Sequence, residues 1–530
     1  MIKYINILLL TALLPMGANA QNIPNDSKRG NIWKLGYSAS ETDTLLWGIN
    51  TMNFNTTPVQ ITKKNHLQEL YGANTSICNT AGRLLFYSNN MFVYDKFGQR
   101  MQGGDSLNPI LPNTIESFYY TQPVVALPLP NSDSLYYIFH QRALDGFDDP
   151  AGTFDLFYTI VDMSQNNSLG RIVSFRNRFS DGNLLAHHQI VACRHANGRD
   201  WWLSMWNIER SKYRRILLDP TGVHDLGWEQ VDVAQFLGLG QAMFSPDGSK
   251  YVQTSYSRNT VPTSFPRIDI YNFDRCTGSM ARAIPPFYLQ DSAINYLMIA
   301  GCSISPNSRY LYITTALGFY QYDLQAADIP ASRVVIGVYD GFKDTFILPG
   351  FVTGPWLHQL APDGKIYMST GAGTHYLHTI SAPDIGGIAC GLQQHSVQLP
   401  AYNFRSLPNL PYFRLGALAG SGCDTLGLSV GTSRSVTIRE GTVRIFPNPA
   451  NDYFTIETER IKGTAYLYNA LGQLVKQVAI NDARTLFNTN HIPNGIYFLS
   501  VNTLAADGTQ SNAFLGGIGG DATKIIVQHP

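Results

Sequence analysis

One strand–turn–strand unit, met repeatedly along the chain, limits the fold more than any other feature. Its clearest copy runs from Phe244 to Asp274. Phe244-Ser245-Pro246-Asp247-Gly248-Ser249-Lys250-Tyr251-Val252 reads as a strand, a tight turn and a second strand. Pro246 presets φ for the first central turn position, and Asp247-Gly248 tolerate unusual φ/ψ. The alternating, branched and aromatic run Ile268-Asp269-Ile270-Tyr271-Asn272-Phe273-Asp274 predicts a further strand. A unit of this kind cannot bury both faces alone, so the chain must supply partners.

It supplies them at regular intervals. Turns at Thr80, Asn131, Asn197, Asp247, Asn307 and Asp363 each lead into a strand-like run, among them Leu84-Leu85-Phe86-Tyr87, Tyr136-Tyr137-Ile138-Phe139 and Ile366-Tyr367-Met368. The steps are roughly 50 to 66 residues, slightly longer than the kelch period of about fifty. Repetition at this period predicts a β-propeller. Six units are visible. A seventh is expected from the N-terminal strands near Trp33 to Phe54 joined by a C-terminal strand at Pro411-Tyr412-Phe413-Arg414. Such closure joins the chain ends and removes exposed edges. A β-sandwich would not explain turns repeated over roughly 350 residues.

Composition agrees with short strands and turns: 29 Tyr, 27 Phe, 46 Gly and 28 Pro. Lys+Arg and Asp+Glu both number 38, and that neutrality argues against a nucleic-acid or anionic-membrane binder. At the N-terminus, Lys3 precedes the apolar segment from Ile5 to Leu14, followed by Ala18-Asn19-Ala20. A basic start, a short apolar run and small residues before the cut predict secretory cleavage after Ala20. No later run approaches the roughly twenty apolar residues of a transmembrane helix. The six cysteines (Cys78, Cys193, Cys276, Cys302, Cys390, Cys423) all follow that segment. In an exported chain they permit disulfides, in any of 15 connectivities, or remain buried thiols. The expected pair is Cys390 with Cys423, since both sit in the loop-rich end of one region.

Past Cys423 the texture changes. Residues 427–441 are rich in Ser, Thr and Gly and read as a linker. Alternation then resumes in Phe454-Thr455-Ile456-Glu457, Ala465-Tyr466-Leu467-Tyr468, Ile496-Tyr497-Phe498-Leu499 and Lys524-Ile525-Ile526-Val527, which predicts a small antiparallel sandwich. The expected organisation is a signal peptide over 1–20, a propeller over 21–426, a linker over 427–441 and a tail over 442–530. The fold class is all-β: a β-propeller of six to seven blades, seven favoured, then a small immunoglobulin-like β-sandwich.

The tail resembles the type A C-terminal sorting domain of proteins exported by the type IX secretion system. The resemblance rests on four blocks in order: Phe446-Pro447-Asn448-Pro449-Ala450 with Asp452, Leu467-Tyr468-Asn469-Ala470-Leu471-Gly472, Asn494-Gly495-Ile496-Tyr497, and Lys524-Ile525-Ile526-Val527. It implies a sorting role for Pro447, Asn448, Pro449, Asp452, Gly472, Gly495, Tyr497 and Lys524. It also implies the type IX machinery as partner, and export to the cell surface or beyond. The middle of the chain resembles the WD-repeat-like propellers of such secreted proteins, on the turns at 245–248, 305–308 and 361–364 and the closing Asn409-Leu410-Pro411-Tyr412-Phe413-Arg414. That resemblance implies a fold and no chemistry.

No catalytic or metal residue is assigned. Ser245-Pro246-Asp247-Gly248 has Gly one position too early for a sialidase-type Asp-box and lacks its Thr-Trp. There is neither a Gly-x-Ser-x-Gly elbow nor a His-Glu-x-x-His zinc helix. His187, His188 and His195 with Cys193 form the densest metal-like cluster, with no carboxylate at ligand spacing; structural histidines explain it better. Asp145, Asp148 and Asp149 could hold Ca²⁺ through loop oxygens, but lack an EF-hand's spacing, so no cofactor is expected. On a strand Trp202 and Trp206 share one face and Trp201 takes the other, which fits packing between blades. Four Asp-Ser/Thr-Leu triplets (Asp43, Asp105, Asp133, Asp424) resemble the acceptor of bacterial periplasmic O-glycosylation. The expected function is binding or adhesion by the propeller, toward an unknown protein or glycan. A funnel hydrolase acting on glycans or peptides, or a structural surface role, are the alternatives.

Overall fold

A computed structural model describes residues 25–37, 46–65, 68–72, 74–108, 121–143, 154–179, 189–207, 211–231, 240–256, 266–289, 301–344, 353–424, 443–447, 450–458, 462–469, 473–504, 510–511, 523–527 and 529. The chain divides into two compact units, one up to Asp424 and one from Thr425 onward.

The described residues of the first unit form seven antiparallel sheets, each built from strands consecutive in sequence. The first has three strands, Ile32–Tyr37, Gly48–Asn53 and Gln60–Lys64. The second also has three, starting at Thr75–Cys78. The others begin at Val124–Pro128, Val191–Arg194, Ala242–Phe244, Cys302–Ile304 and Pro355–Leu360, with four or five strands each. Each of the six turns found by repetition joins the first strand of a sheet to the second.

The turn chemistry is the same from copy to copy. In the fifth sheet the Ser249 N–H donates to Asp247 Oδ1 (2.9 Å), the Lys250 N–H to Ser245 Oγ (2.9 Å), and the Gly248 N–H to the Ser245 carbonyl (2.8 Å). In the sixth, Arg309 N–H donates to Asn307 Oδ1 (3.0 Å) and Tyr310 N–H to Ser305 Oγ (2.8 Å). A short polar side chain at the second central position satisfies the backbone that the turn exposes. These turns also link sheet to sheet: Asp247 N–H donates to Ser308 Oγ (3.0 Å), and Asn307 N–H to Asp384 Oδ1 (2.8 Å).

Successive sheets pack through their first strands. Contacts run from Ile32–Tyr37 to Thr75–Cys78, on to Val124–Pro128, and from Val191–Arg194 through Ala242–Phe244 and Cys302–Ile304 to Pro355–Leu360. The Ile190 N–H donates to the Gln122 carbonyl (3.0 Å), joining the third sheet to the fourth. The last strand, Leu392–Asn403, returns to the first sheet, where the Asn50 side chain exchanges two hydrogen bonds with the Ala401 backbone (2.9 and 3.0 Å). The ring of sheets is thereby closed, the arrangement of a β-propeller. The core lies between sheets. Trp202 and Trp206 pack with Tyr251 and Tyr271 between the fourth and fifth, while Trp201 faces the other way, onto Phe413.

The predicted closing strand at Pro411–Arg414 is not one. The first sheet consists of N-terminal strands alone, and residues 404–416 are irregular. Pro408 and Pro411 carry no N–H for a ladder. The segment still lies beside the first sheet, because Leu407 joins the core cluster of Trp33, Leu35, Met52 and Phe54. Closure brings the two ends of the first unit together, through side-chain packing and separate hydrogen bonds rather than through a shared strand ladder.

The second unit is a two-layered antiparallel sandwich. One sheet comprises Val443–Phe446, Tyr453–Thr458 and Arg484–Asn488. The other is centred on Lys462–Asn469 and Gly495–Leu504. Phe454, Ile456, Leu467, Phe487, Leu499 and Ile525 fill the space between.

Candidate functional site

The middle of the ring is where a propeller can hold a ligand, and here the chain fills it with itself. After Asn403, residues 404–416 cross the channel. Asn409, buried at the inner ends of three sheets, uses every polar group it has. Its Nδ2 donates to the carbonyls of Val124 (2.9 Å) and Ile190 (2.8 Å), and its Oδ1 accepts from Gln122 Nε2 (3.2 Å). Its N–H donates to the Asn74 carbonyl (2.7 Å), and its own carbonyl accepts from the Thr75 hydroxyl (3.1 Å). Two glutamines extend this amide network. Gln122 pairs with both backbone groups of Ala242 (2.8 and 2.9 Å), and Gln241 bridges the N–H groups of Cys302 (3.1 Å) and His358 (3.0 Å) to the His358 carbonyl (2.6 Å).

Two small cavities lie beside the segment among the described residues. The larger, about 50 Å³, lies among Cys193, Gln241, Phe244, Ile304, Leu360 and Asn409; the smaller, about 30 Å³, lies by Trp33 and Phe413. A water takes roughly 30 Å³ of liquid, whereas small-molecule pockets run to about 300 Å³ or more. Amides, apolar side chains and Arg194 line the larger cavity, and no carboxylate is among the described lining residues. His358 stands close by, wholly buried. Its Nδ1 lies 3.1 Å from the Ser303 hydroxyl and its Nε2 2.8 Å from that of Thr314. Burial, with His378 nearby, pushes its pKa down to about 3, so the ring is neutral.

The two ends of the first unit both meet the fourth sheet. Arg194 is buried, its guanidinium 3.7 Å from the centre of the Trp201 ring, and Nη2 donates to Asp26 Oδ2 at 2.8 Å. Burial opposes the charge on Asp26, but Arg194 and Arg29 together hold its carboxyl below the usual range. Arg29 Nη1 in turn donates to the Tyr136 hydroxyl (2.8 Å). Sequence reasoning missed this triad, since a lone Asp near a processing site carries no pattern. Arg275 receives the emerging segment: its guanidinium donates to the carbonyls of Arg194 (2.9 Å), His195 (3.2 Å) and Gly416. Cys276, next in sequence, forms a disulfide with Cys423, Cα atoms 5.6 Å apart.

That disulfide corrects the expected Cys390–Cys423 pair. Cys390 is a buried free thiol packed with Tyr312, Ile366 and Ile380. Proximity along the sequence pointed to Cys390, whereas the ring brings Cys423 back to the fifth sheet. Of the metal-like cluster, His187 and His188 lie outside the described residues. His195 has both ring nitrogens engaged, Nδ1 accepting from the Asn197 N–H (3.0 Å) and Nε2 lying 3.1 Å from the Cys276 carbonyl. Cys193 is buried, and burial pushes its thiol up to about 12. Asp145, Asp148 and Asp149, and the processing residues Ala18 and Ala20, also lie outside the described residues.

In the second unit the structure places five of the eight sorting residues; Asn448, Pro449 and Gly472 lie outside the described residues. Pro447 is exposed at the end of the first strand. The Asp452 carbonyl accepts from the Thr489 N–H (2.8 Å). Tyr497 is buried, its hydroxyl donating to the Pro493 carbonyl (2.8 Å). Gly495 pairs with Val527 and Lys524 with Phe498 across one strand pair. The four sequence blocks therefore meet on one small sandwich.

Comparison with known proteins bears on this unit. Residues 444–511 match the family described as a secretion system C-terminal sorting domain, a match that stops short of Lys524. The chain carries a type IX sorting tail. It is therefore an exported protein, secreted or held at the cell surface. A stretch of 91 residues is 29% identical to Beta-agarase A of Zobellia galactanivorans, covering 17% of this chain and only 14% of that protein. Among solved structures, a protein from Lactobacillus plantarum matches with 12% identity and a TM-score of 0.42, over 70% of this chain and 98% of that one. PorZ, a surface component of the type IX secretion system of Porphyromonas gingivalis, matches with 13% identity and a TM-score of 0.30, over 91% of this chain and 68% of its own. Among the described residues, no helix is long and apolar enough to cross a membrane.

Proposed function

We propose that the first unit is the cargo, a seven-bladed WD-repeat-like propeller serving binding or adhesion at the cell surface. On this reading the second unit directs its passage across the outer membrane. A signal peptide cleaved after Ala20 starts export. Pro447, Asn448, Pro449, Asp452, Gly472, Gly495, Tyr497 and Lys524 then carry the sorting motif that the secretion machinery recognises. The observation that carries the binding reading is the filled channel. A hydrolase in the funnel needs a cleft and two carboxylates about 5–9.5 Å apart. The described channel offers about 50 Å³ lined by amides, apolar groups and one arginine. Binding by the outer surfaces needs no such cleft.

Cell fractionation of the intact protein beside a version lacking residues 442–530 tests the sorting half. The truncated form should accumulate in the periplasm, and its arrival at the surface would sink the assignment. A glycan array probed with the full secreted protein addresses the cargo. Capture of defined glycans supports binding, whereas release of reducing ends from them would favour the hydrolase.

A further inference from the structure

In an antiparallel sandwich the inner faces of both sheets make the core, and alternation leaves polar residues facing water. The three-stranded sheet of the second unit keeps this rule inward and breaks it outward. Phe454, Ile456 and Phe487 are buried, whereas Phe446, Tyr453 and Leu486 are 45%, 48% and 58% exposed. Apolar residues scattered singly on a surface mean little, but a contiguous set marks an interaction site. Register makes these contiguous. Thr455, in the middle strand, has Phe446 directly opposite on one side and Leu486 on the other. Tyr453 stands two residues before Thr455, on the same face, opposite Asn488. Residues directly across a strand pair are about 5 Å apart. Phe446, Thr455 and Leu486 therefore form one row across the sheet, with Tyr453 beside it.

The sequence block that opens the tail builds this stripe. Phe446 belongs to that block, and exposed Pro447 follows it. Asp452 immediately precedes Tyr453, and the chain is pinned there. The Thr489 N–H donates to the Asp452 carbonyl (2.8 Å), and the Thr489 hydroxyl donates to the Asn451 carbonyl (2.6 Å). At the other end of the face Arg484 Nε donates to Glu457 Oε1 (2.9 Å), so the charges that flank the stripe cancel each other.

We propose, resting on the sorting role read above for the second unit, that Phe446, Tyr453 and Leu486 form its docking surface, and that the occupant is an apolar protein surface of the secretion machinery. Two observations select that occupant. All three residues fall within 444–511, the segment that matches the sorting-domain family, so the stripe lies on the part of the chain that the machinery recognises. Recognition by charge has little to hold: among the described side chains of this face the two charged ones, Glu457 and Arg484, are paired with each other.

Fractionation of cells producing the full chain tests the surface. Leu486→Asp, at the most exposed position of the stripe, should lower the ratio of surface to periplasmic protein at least roughly tenfold, the effect of a charge buried at the centre of a docked interface. Tyr453→Asp should act in the same direction, so that misfolding of one variant does not decide the outcome, and Leu486→Met should sort normally. Leu474→Asp, on the other sheet and 51% exposed, and Arg484→Ala should both stay within about twofold of wild type. Urea titration of the periplasmic Leu486→Asp protein should give the wild-type midpoint for the tail, which separates lost docking from lost folding. If both aspartate variants of the stripe reach the surface as wild type does, while the chain lacking residues 442–530 does not, the inference falls and the sorting reading stands. If that truncated chain also reaches the surface, both fall. A loss with Leu474→Asp or Arg484→Ala as large as with Leu486→Asp would overturn the stripe as the docking surface. So would stripe variants that sort normally and lose only association between copies of the chain.

Discussion

The two units manage one problem, the exposed edges of antiparallel sheets, by opposite means. The sandwich is closed by neighbours in sequence: its core residues all fall between Ala450 and Val527, and its strands pair across short connections. The ring is closed by the ends of a unit some four hundred residues long. Asp26 neutralises Arg194 in the fourth sheet, Leu407 completes the first, Asn409 ties three sheets together, and Cys423 is bonded to the fifth. Local closure makes a portable tail. Distant closure makes a cargo whose integrity depends on its termini, and whose channel is consumed by the closing device.

The largest expected effect sharpens that contrast. The Cys276–Cys423 bond spans 147 residues of sequence, a loop for which chain entropy gives about 4–5 kcal/mol of stabilisation. Replacing both with Ser should lower the ring's unfolding free energy by about that amount in a urea titration. All six cysteines precede Thr425, so the sandwich transition should stay where it is. Equal shifts in both transitions would break the comparison.

Acid should divide the units next. Burial pushes His140 and His358 down to about 3 and His378 to about 4, all three in the ring. Between those values and the ordinary imidazole value of about 6.5, the unfolded chain binds protons that the folded ring refuses. The ring's stability should therefore fall as pH drops below about 6.5, by up to about 1.4 kcal/mol per pH unit for each such histidine. His358→Gln, which keeps a donor and an acceptor for Ser303 and Thr314, removes one titrating group. The slope of unfolding free energy between pH 4 and 6 should flatten by that one contribution, and an unchanged slope would count against the buried neutral ring.

What could be read from the sequence follows the same division. The six turns were legible because Ser245, Asp247, Asn307 and Asp363 act within their own hairpins, and local chemistry repeats whenever a hairpin does. The sandwich strands and the sorting blocks were legible for the same reason. The closing segment was half legible: its place beside the first sheet could be anticipated, but Pro408 and Pro411 ruled out the strand. The Cys276–Cys423 bond and the Asp26–Arg194 pair were not legible. Each joins residues more than a hundred positions apart, and only ring closure makes them neighbours. The channel's closure by Asn409 left one trace, an Asn-Leu flanked by prolines, whose meaning depends on the three sheets it ties together.

The smallest expected effect separates local from distant constraint within the ring itself. Gly248 and Gly364 occupy equivalent turns of the fifth and seventh sheets, with φ of +72° and +83°. An alanine in that left-handed region costs roughly 1–2 kcal/mol by itself. At Gly364 an added Cβ meets nothing within 4 Å, so Gly364→Ala should cost no more than this. At Gly248 the Cβ would sit 2.5 Å from Arg275 Cδ, 2.9 Å from Leu415 Cδ2 and 3.0 Å from Cys193 Sγ. Arg275 cannot swing aside freely, because its guanidinium holds the carbonyls of Arg194, His195 and Gly416. Gly248→Ala should therefore cost about 1–3 kcal/mol more than its counterpart, the price of overpacking. Paired urea titrations of the two variants measure the difference. A difference near zero would mean that the closing segment yields at this point, and that its grip on the fifth sheet rests on the disulfide alone.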